Sequence, residues 1–70
     1  MRSLTEAKTG EICTIKWMIC NRKVTELMRH FGIEEGSRIN VRQKGKWGML
    51  IGKGERRFVI GPEVAACIRV

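Results

Sequence analysis

Seventy residues carrying fourteen Lys and Arg against seven Glu, a net charge of +7, leave room for one hydrophobic core and no second domain, because chains this small bury only about 60% of their unfolded surface. That argues against an enzymatic cleft, while the 43% apolar share argues against disorder. The surplus of base attracts anionic partners at long range.

Ser3-Leu4-Thr5-Glu6 has the Ser-x-x-Glu spacing of a capping box, so a helical turn should start there and stop before Gly10, with Leu4 and Ala7 pointing inward. From Glu11 to Ile19 the chain reads as one strand. Cys13, Ile15, Trp17 and Ile19 would share a face, Met18 on the other side leaves room for a bulge, and Trp17 would lie in the core or line a groove. The apolar runs Trp17 to Cys20 and Phe58 to Ile60 are far shorter than the roughly 20 residues that span a bilayer, so the chain is expected not to be membrane-embedded.

Asn21 is a good N-cap, and Val24, Leu27, Met28 and Phe31 follow it at helical spacing, a stripe that would plug the core from one side. Gly32 offers a left-handed C-cap, and Arg22, Glu26 and Arg29 fall on the wet face. Ile33 re-enters the core, Gly36 permits a positive φ, and Arg38, Ile39, Asn40, Val41 and Arg42 alternate as a strand. Glu34 and Glu35 stay in solvent.

Lys44 to Gly48 reads as a hairpin loop, Met49 to Ile51 as the return strand, Gly52 to Glu55 as a second reversal, and Arg57 to Ile60 as the next strand. Gly61-Pro62-Glu63 begins a single turn and Cys67 to Val70 a last short strand. Residues 1–70 are thus expected to form one domain, mainly β: a small, partly open barrel of about five strands with one short α-helix inserted after the first strand.

The three cysteines, Cys13, Cys20 and Cys67, show no Cys-x-x-Cys spacing and follow no secretory segment, which points to a reducing cytosol. With His30 they are the candidate soft ligands, but no close-spaced ligand pair exists, so neither a resident metal nor a cofactor is expected. Cys13 and Cys67 read as small buried hydrophobes. Arg22 and Arg69 adjoin cysteines in sequence only, too little to mark a reactive thiol. No constellation suggests a catalytic residue.

Half of the bases lie between Arg38 and Arg57, with Glu55 the sole acid among them. Arg38, Arg42, Lys44, Lys46, Arg56 and Arg57, together with Trp47 in a loop, are the candidate partner-binding residues, an aromatic anchor within a basic face. The same residues would suit a small nucleic-acid-binding barrel, which combines basic grooves with stacking platforms, or an anionic membrane surface. They could also simply decorate a solvated strand face.

The string Ser3-Leu4-x-Glu6-Ala7-Lys8-x-Gly10-Glu11, the helix end Leu27-Met28-x-x-Phe31-Gly32-Ile33-x-x-Gly36, the strand Ile39-x-Val41 and the tail Ile60-x-x-Glu63-x-Ala65-x-x-Ile68-x-Val70 resemble the FeoA family over essentially the whole chain. The resemblance implies a cytoplasmic, Src-homology-3-like barrel without enzymatic activity that accompanies FeoB, the GTP-hydrolysing membrane transporter of ferrous iron. A similar domain ends some metal-responsive repressors. Three departures stand out: Ile19-Cys20-Asn21-Arg22 where the family often has glycines, no Pro near Lys46-Trp47-Gly48, and Lys53 where an aliphatic residue is common.

Overall fold

A computed structural model describes residues 1–70. The Ser3 capping box closes as its spacing implies. The Thr5 N–H donates to Ser3 Oγ at 3.2 Å and the Ser3 N–H to Glu6 Oε2 at 3.0 Å, fixing one 3-10 turn, Leu4–Glu6. Leu4 and Ala7 are buried beneath it.

The segment expected to be one strand is two. β1 (Ile12–Thr14) pairs with β3 (Arg38–Gly45), whereas β2 (Trp17–Met18) pairs with β6 (Ile68–Arg69). The change of partner falls between Ile15, whose N–H donates to Ser37 O, and Lys16, whose N–H donates to Arg69 O, each at 2.8 Å. Crossing from one sheet to the other reverses the facing of the chain. Cys13, Ile15 and Met18 are buried, and Trp17, expected in the core or along a groove, is 54% exposed and so is not a core residue.

β3, β4 (Gly48–Lys53) and β5 (Arg56–Ile60) form an antiparallel meander, and the larger sheet has the order β1-β3-β4-β5. The sheet does not close on itself: β1 and β5 are free edges. A mainly β, partly open barrel is therefore correct, with six strands in two sheets rather than about five, and the long helix enters after β2. The hairpin expected over five residues tightens to the two residues Lys46 and Trp47. α2 (Pro62–Cys67) continues past a single turn, and Val70 and Arg2 exchange backbone hydrogen bonds, bringing the two ends of the chain together.

α1 (Arg22–His30) is capped by Asn21, whose Oδ1 accepts from the Val24 N–H at 2.9 Å, and it stops at Gly32 with φ +79°. Its stripe is narrower than the spacing implies. The helix is rolled so that Met28 is buried with Val24 and Thr25 half-buried on its flanks, and Leu27, about 100° around from Met28, is 56% exposed. Phe31 is half-buried against Phe58, ring centroids 5.5 Å apart. The core below is built by Ile33, Ile39, Val41, Met49, Ile51 and Ile60 with Leu4, Ile15, Met18 and Ile68.

Cys13 is buried and free as expected, but Cys67 is not an isolated hydrophobe: it is half-buried and disulfide-bonded to Cys20 across 47 residues, with Cα atoms 5.1 Å apart. No helix is long and apolar enough to cross a membrane.

Candidate docking face

Strand alternation divides the basic cluster between two surfaces. On β3, Ile39 and Val41 face the core, so Arg38 and Asn40 face out; on β4, Met49 and Ile51 face in and Leu50 and Gly52 face out. The register then sets one outer row across the whole sheet, Ile12, Asn40, Gly52 and Arg57. Beside it runs Gln43, Leu50 and Val59.

A β-bulge between Val41 and Gln43 inserts Arg42 and re-aims it. Its Cδ lies 3.3 Å from where a Cβ on Gly52 would stand, so the Arg42 stem crosses the bare backbone of Gly52 toward the Arg57 row. Asn40 fills the rest of that space, its Oδ1 buried without a hydrogen-bond partner. Asn40, Arg42 and Arg57, together with Thr9, Leu50 and Gln43, line an open cleft of about 400 Å³.

Trp47 belongs to this surface. Gly45 shares parity with Gln43, and the Trp47 indole occupies the space where a Gly45 side chain would project, so the ring is laid back on the hairpin and 49% exposed. Ile12 (62% exposed) and Val59 (71%) add aliphatic area. Arg38, Arg42, Arg57 and Trp47 are thus brought to one face, and Lys46 sits in the turn at its end.

Lys44 and Arg56 go elsewhere. Lys44 pairs in register with buried Met49, and its Nζ donates to Thr5 O and Ala7 O, both at 2.8 Å, tying the first turn to the sheet. Arg56 shares its side with Phe58, its guanidinium 5.3 Å from the Phe58 centroid and 5.9 Å from that of Phe31, a cation–π arrangement over the helix end. Lys53, on the same side, donates to Gly32 O at 2.6 Å.

The ion pairs of the molecule are Arg2 with Glu11, Arg22 with Glu26 at 3.0 Å and Arg29 with Glu35 at 3.2 Å. None involves a base of the 38–57 cluster, so the outer face holds uncompensated positive charge. Glu35 has its pKa lowered by its own backbone N–H first and by Arg29 second. No three His, Cys or acidic side chains converge. The outward aliphatics Ile12, Leu50 and Val59 were missed at the sequence level, although the alternation around Cys13 and Ile51 carries the signal. For the Cys20–Cys67 link the sequence offers none.

The FeoA domain profile matches residues 2–70. The chain belongs to the FeoA family. Among curated proteins no sequence matches it. The fold is similar to the solution structure of a FeoA protein from Chlorobium tepidum, with TM-score 0.87 and 16% identity over 96% of this chain and 66% of that one. It is also similar to a crystal structure titled iron uptake regulatory protein (FeoA), with TM-score 0.82 and 22% identity over 96% of this chain and 89% of that one. A manganese-dependent transcriptional repressor contains the same fold, TM-score 0.83 and 18% identity, over 96% of this chain but 39% of the repressor. The FeoA family comprises small β-barrel accessory domains of ferrous iron transport.

Proposed function

We propose that this FeoA domain is a cytoplasmic, non-enzymatic adaptor that docks, without a cofactor of its own, on the soluble region of a FeoB-type ferrous iron transporter. The contact surface is the outer face of the larger sheet, with Arg42 and Arg57 as its charged centre, Trp47 as an aromatic anchor and Arg38 and Lys46 at its margins. The observation that carries this reading is charge without compensation: the outer bases have no carboxylate partner, and they are interleaved with exposed Ile12, Val59 and Trp47 and half-buried Leu50. Such a mixture of apolar area and Arg suits the centre of a protein interface. A nucleic-acid reading finds one aromatic platform on this face, where single-strand binders usually present several.

Retention of the domain on the immobilised soluble region of a FeoB-type transporter tests it. Arg42→Glu combined with Arg57→Glu should weaken retention by about tenfold or more, with Lys23→Glu on the exposed helix face as a control that changes nothing. If the double variant binds as wild type does, the face is wrong. If instead single-stranded RNA binds with steep salt dependence and Trp47→Ala abolishes it, the adaptor reading fails in favour of nucleic acid.

A further inference from the structure

We propose that Cys20 and Cys67 constitute a redox-active dithiol site whose closure clamps the N-terminal end of α1 to α2 and whose opening releases it. The pair is placed for exchange. Cys20 immediately precedes the Asn21 cap of α1, and Cys67 is the last residue of α2. Their Cα atoms, 5.1 Å apart, lie within the range a disulfide spans without backbone movement. Both residues are half-buried on a cleft of about 150 Å³ that they share with Ile19, Asn21, Val24, Glu63 and Val64, so a small thiol in solvent can reach the sulfurs. Cys13, buried under the larger sheet, takes no part.

The two sulfurs differ electrostatically. Cys20 stands immediately before the Asn21 cap at the N-terminal end of α1, whose first turn carries no acid, and the helix dipole favours negative charge there. Cys67 Sγ lies 3.1 Å from the Val64 carbonyl oxygen at the C-terminal end of α2. Exchange therefore runs by attack of an external thiolate on Cys67 Sγ, with Cys20 leaving as the thiolate. With a dithiol reductant, its second thiolate then attacks its own sulfur in the mixed disulfide, and Cys67 departs and takes a proton. The protein disulfide gains two electrons, and the reductant becomes a cyclic disulfide.

The consequence follows from how α1 is held. Its C-terminal end has anchors of its own: buried Met28, Phe31 against Phe58, and the Lys53 ammonium on Gly32 O. Its N-terminal end has local cap bonds, half-buried Val24 and the bond from Cys20 to Cys67; the Ile19 N–H on Cys67 O at 2.7 Å holds the residue before Cys20 and reaches no residue of the helix itself. Opening the disulfide frees the first turns of the helix and leaves the β1-β3-β4-β5 sheet intact, exposing Val24 next to the already exposed Ile19.

Equilibration of the full chain in dithiothreitol and in graded glutathione buffers, with alkylation and mass analysis, tests the chemistry, and amide hydrogen exchange tests the consequence. The expected result is a single reversible two-electron transition confined to Cys20 and Cys67. With it, exchange at residues 24 to 27 should accelerate by about tenfold or more on reduction while β3 and β4 keep their protection. Cys20→Ser and Cys67→Ser should each reproduce the reduced pattern without reductant, and Cys13→Ala should retain the transition. A pair that stays reduced in the most oxidising glutathione buffer, or that resists excess dithiothreitol, overturns the proposal. So does α1 exchange that is the same in both states.

Discussion

The Lys53 ammonium donates to the Gly32 carbonyl oxygen at 2.6 Å, so a charge carried by the sheet stands where α1 ends. The Ser37 hydroxyl donates to the same oxygen at 3.1 Å. An aliphatic residue at 53 packs there but offers no donor. Lys53→Met should therefore cost about 2 kcal/mol, the range for a hydrogen bond with one charged partner, and lower Tm by about 10 °C for a domain this size. Urea unfolding of the two proteins measures it, and an unchanged midpoint would show the bond to be idle.

Lys44 and Arg42 are two residues apart yet should fail in opposite ways. Lys44→Met strips donors from the Thr5 and Ala7 carbonyls and should lose about 1–3 kcal/mol of stability with partner retention unchanged. Arg42→Gln, whose head meets no acid in the chain, should stay within about 0.5 kcal/mol of wild type and lose retention instead. Thermal melts run alongside the retention assay separate the two. Equal effects on both readouts would mean that alternation does not divide the bases between two faces.

Much of the fold was legible because its signals are local. The Ser3 and Asn21 caps, the positive φ of Gly32 and Gly36, and the period of β3 each depend on a few neighbouring residues. What escaped depends on distant partners. The break between Ile15 and Lys16 exists because Ser37 and Arg69 offer different sheets to successive residues, and nothing within Glu11 to Ile19 announces that. The exposure of Trp17 has the same origin. Leu27 is exposed because the roll of a short helix is set by what lies beneath it, here the space that Met28 fills. In the site, the count of bases was visible, but their division was not. Only the core register shows that Lys44 turns in, while the bulge brings Arg42 out over Gly52.

Gly52 is buried and has no need of a left-handed backbone, so its cost of substitution is purely steric. A methyl at that position runs into Asn40 Oδ1, with the movable Arg42 stem as the next neighbour. Gly52→Ala should lose about 1–3 kcal/mol, as overpacking typically does. In an Asn40→Ala background, where the obstructing amide and its unpaired oxygen are gone, the same change should cost under about 1 kcal/mol. Four denaturation curves close the cycle. An additive cycle would mean that Asn40 is not what occupies the space above Gly52.

Glu35 supplies the pH dependence. Its folded pKa lies below the usual 4.5 because its own backbone N–H and then the Arg29 guanidinium at 3.2 Å favour the carboxylate. A depressed carboxyl contributes stability in full above its unfolded pKa and loses it as pH falls through the folded one. The contribution is thus complete at neutral pH and fades below 4.5. Glu35→Gln removes the titrating group, so the Tm gap between wild type and variant should be constant at neutral pH and narrow as the solution is acidified below that value. The group is solvent-exposed, so about 1 M salt should shrink the neutral-pH gap as well by screening Arg29. A gap that widens on acidification would reverse the direction assigned to Glu35 and leave the Arg29 contact without influence on the carboxylate.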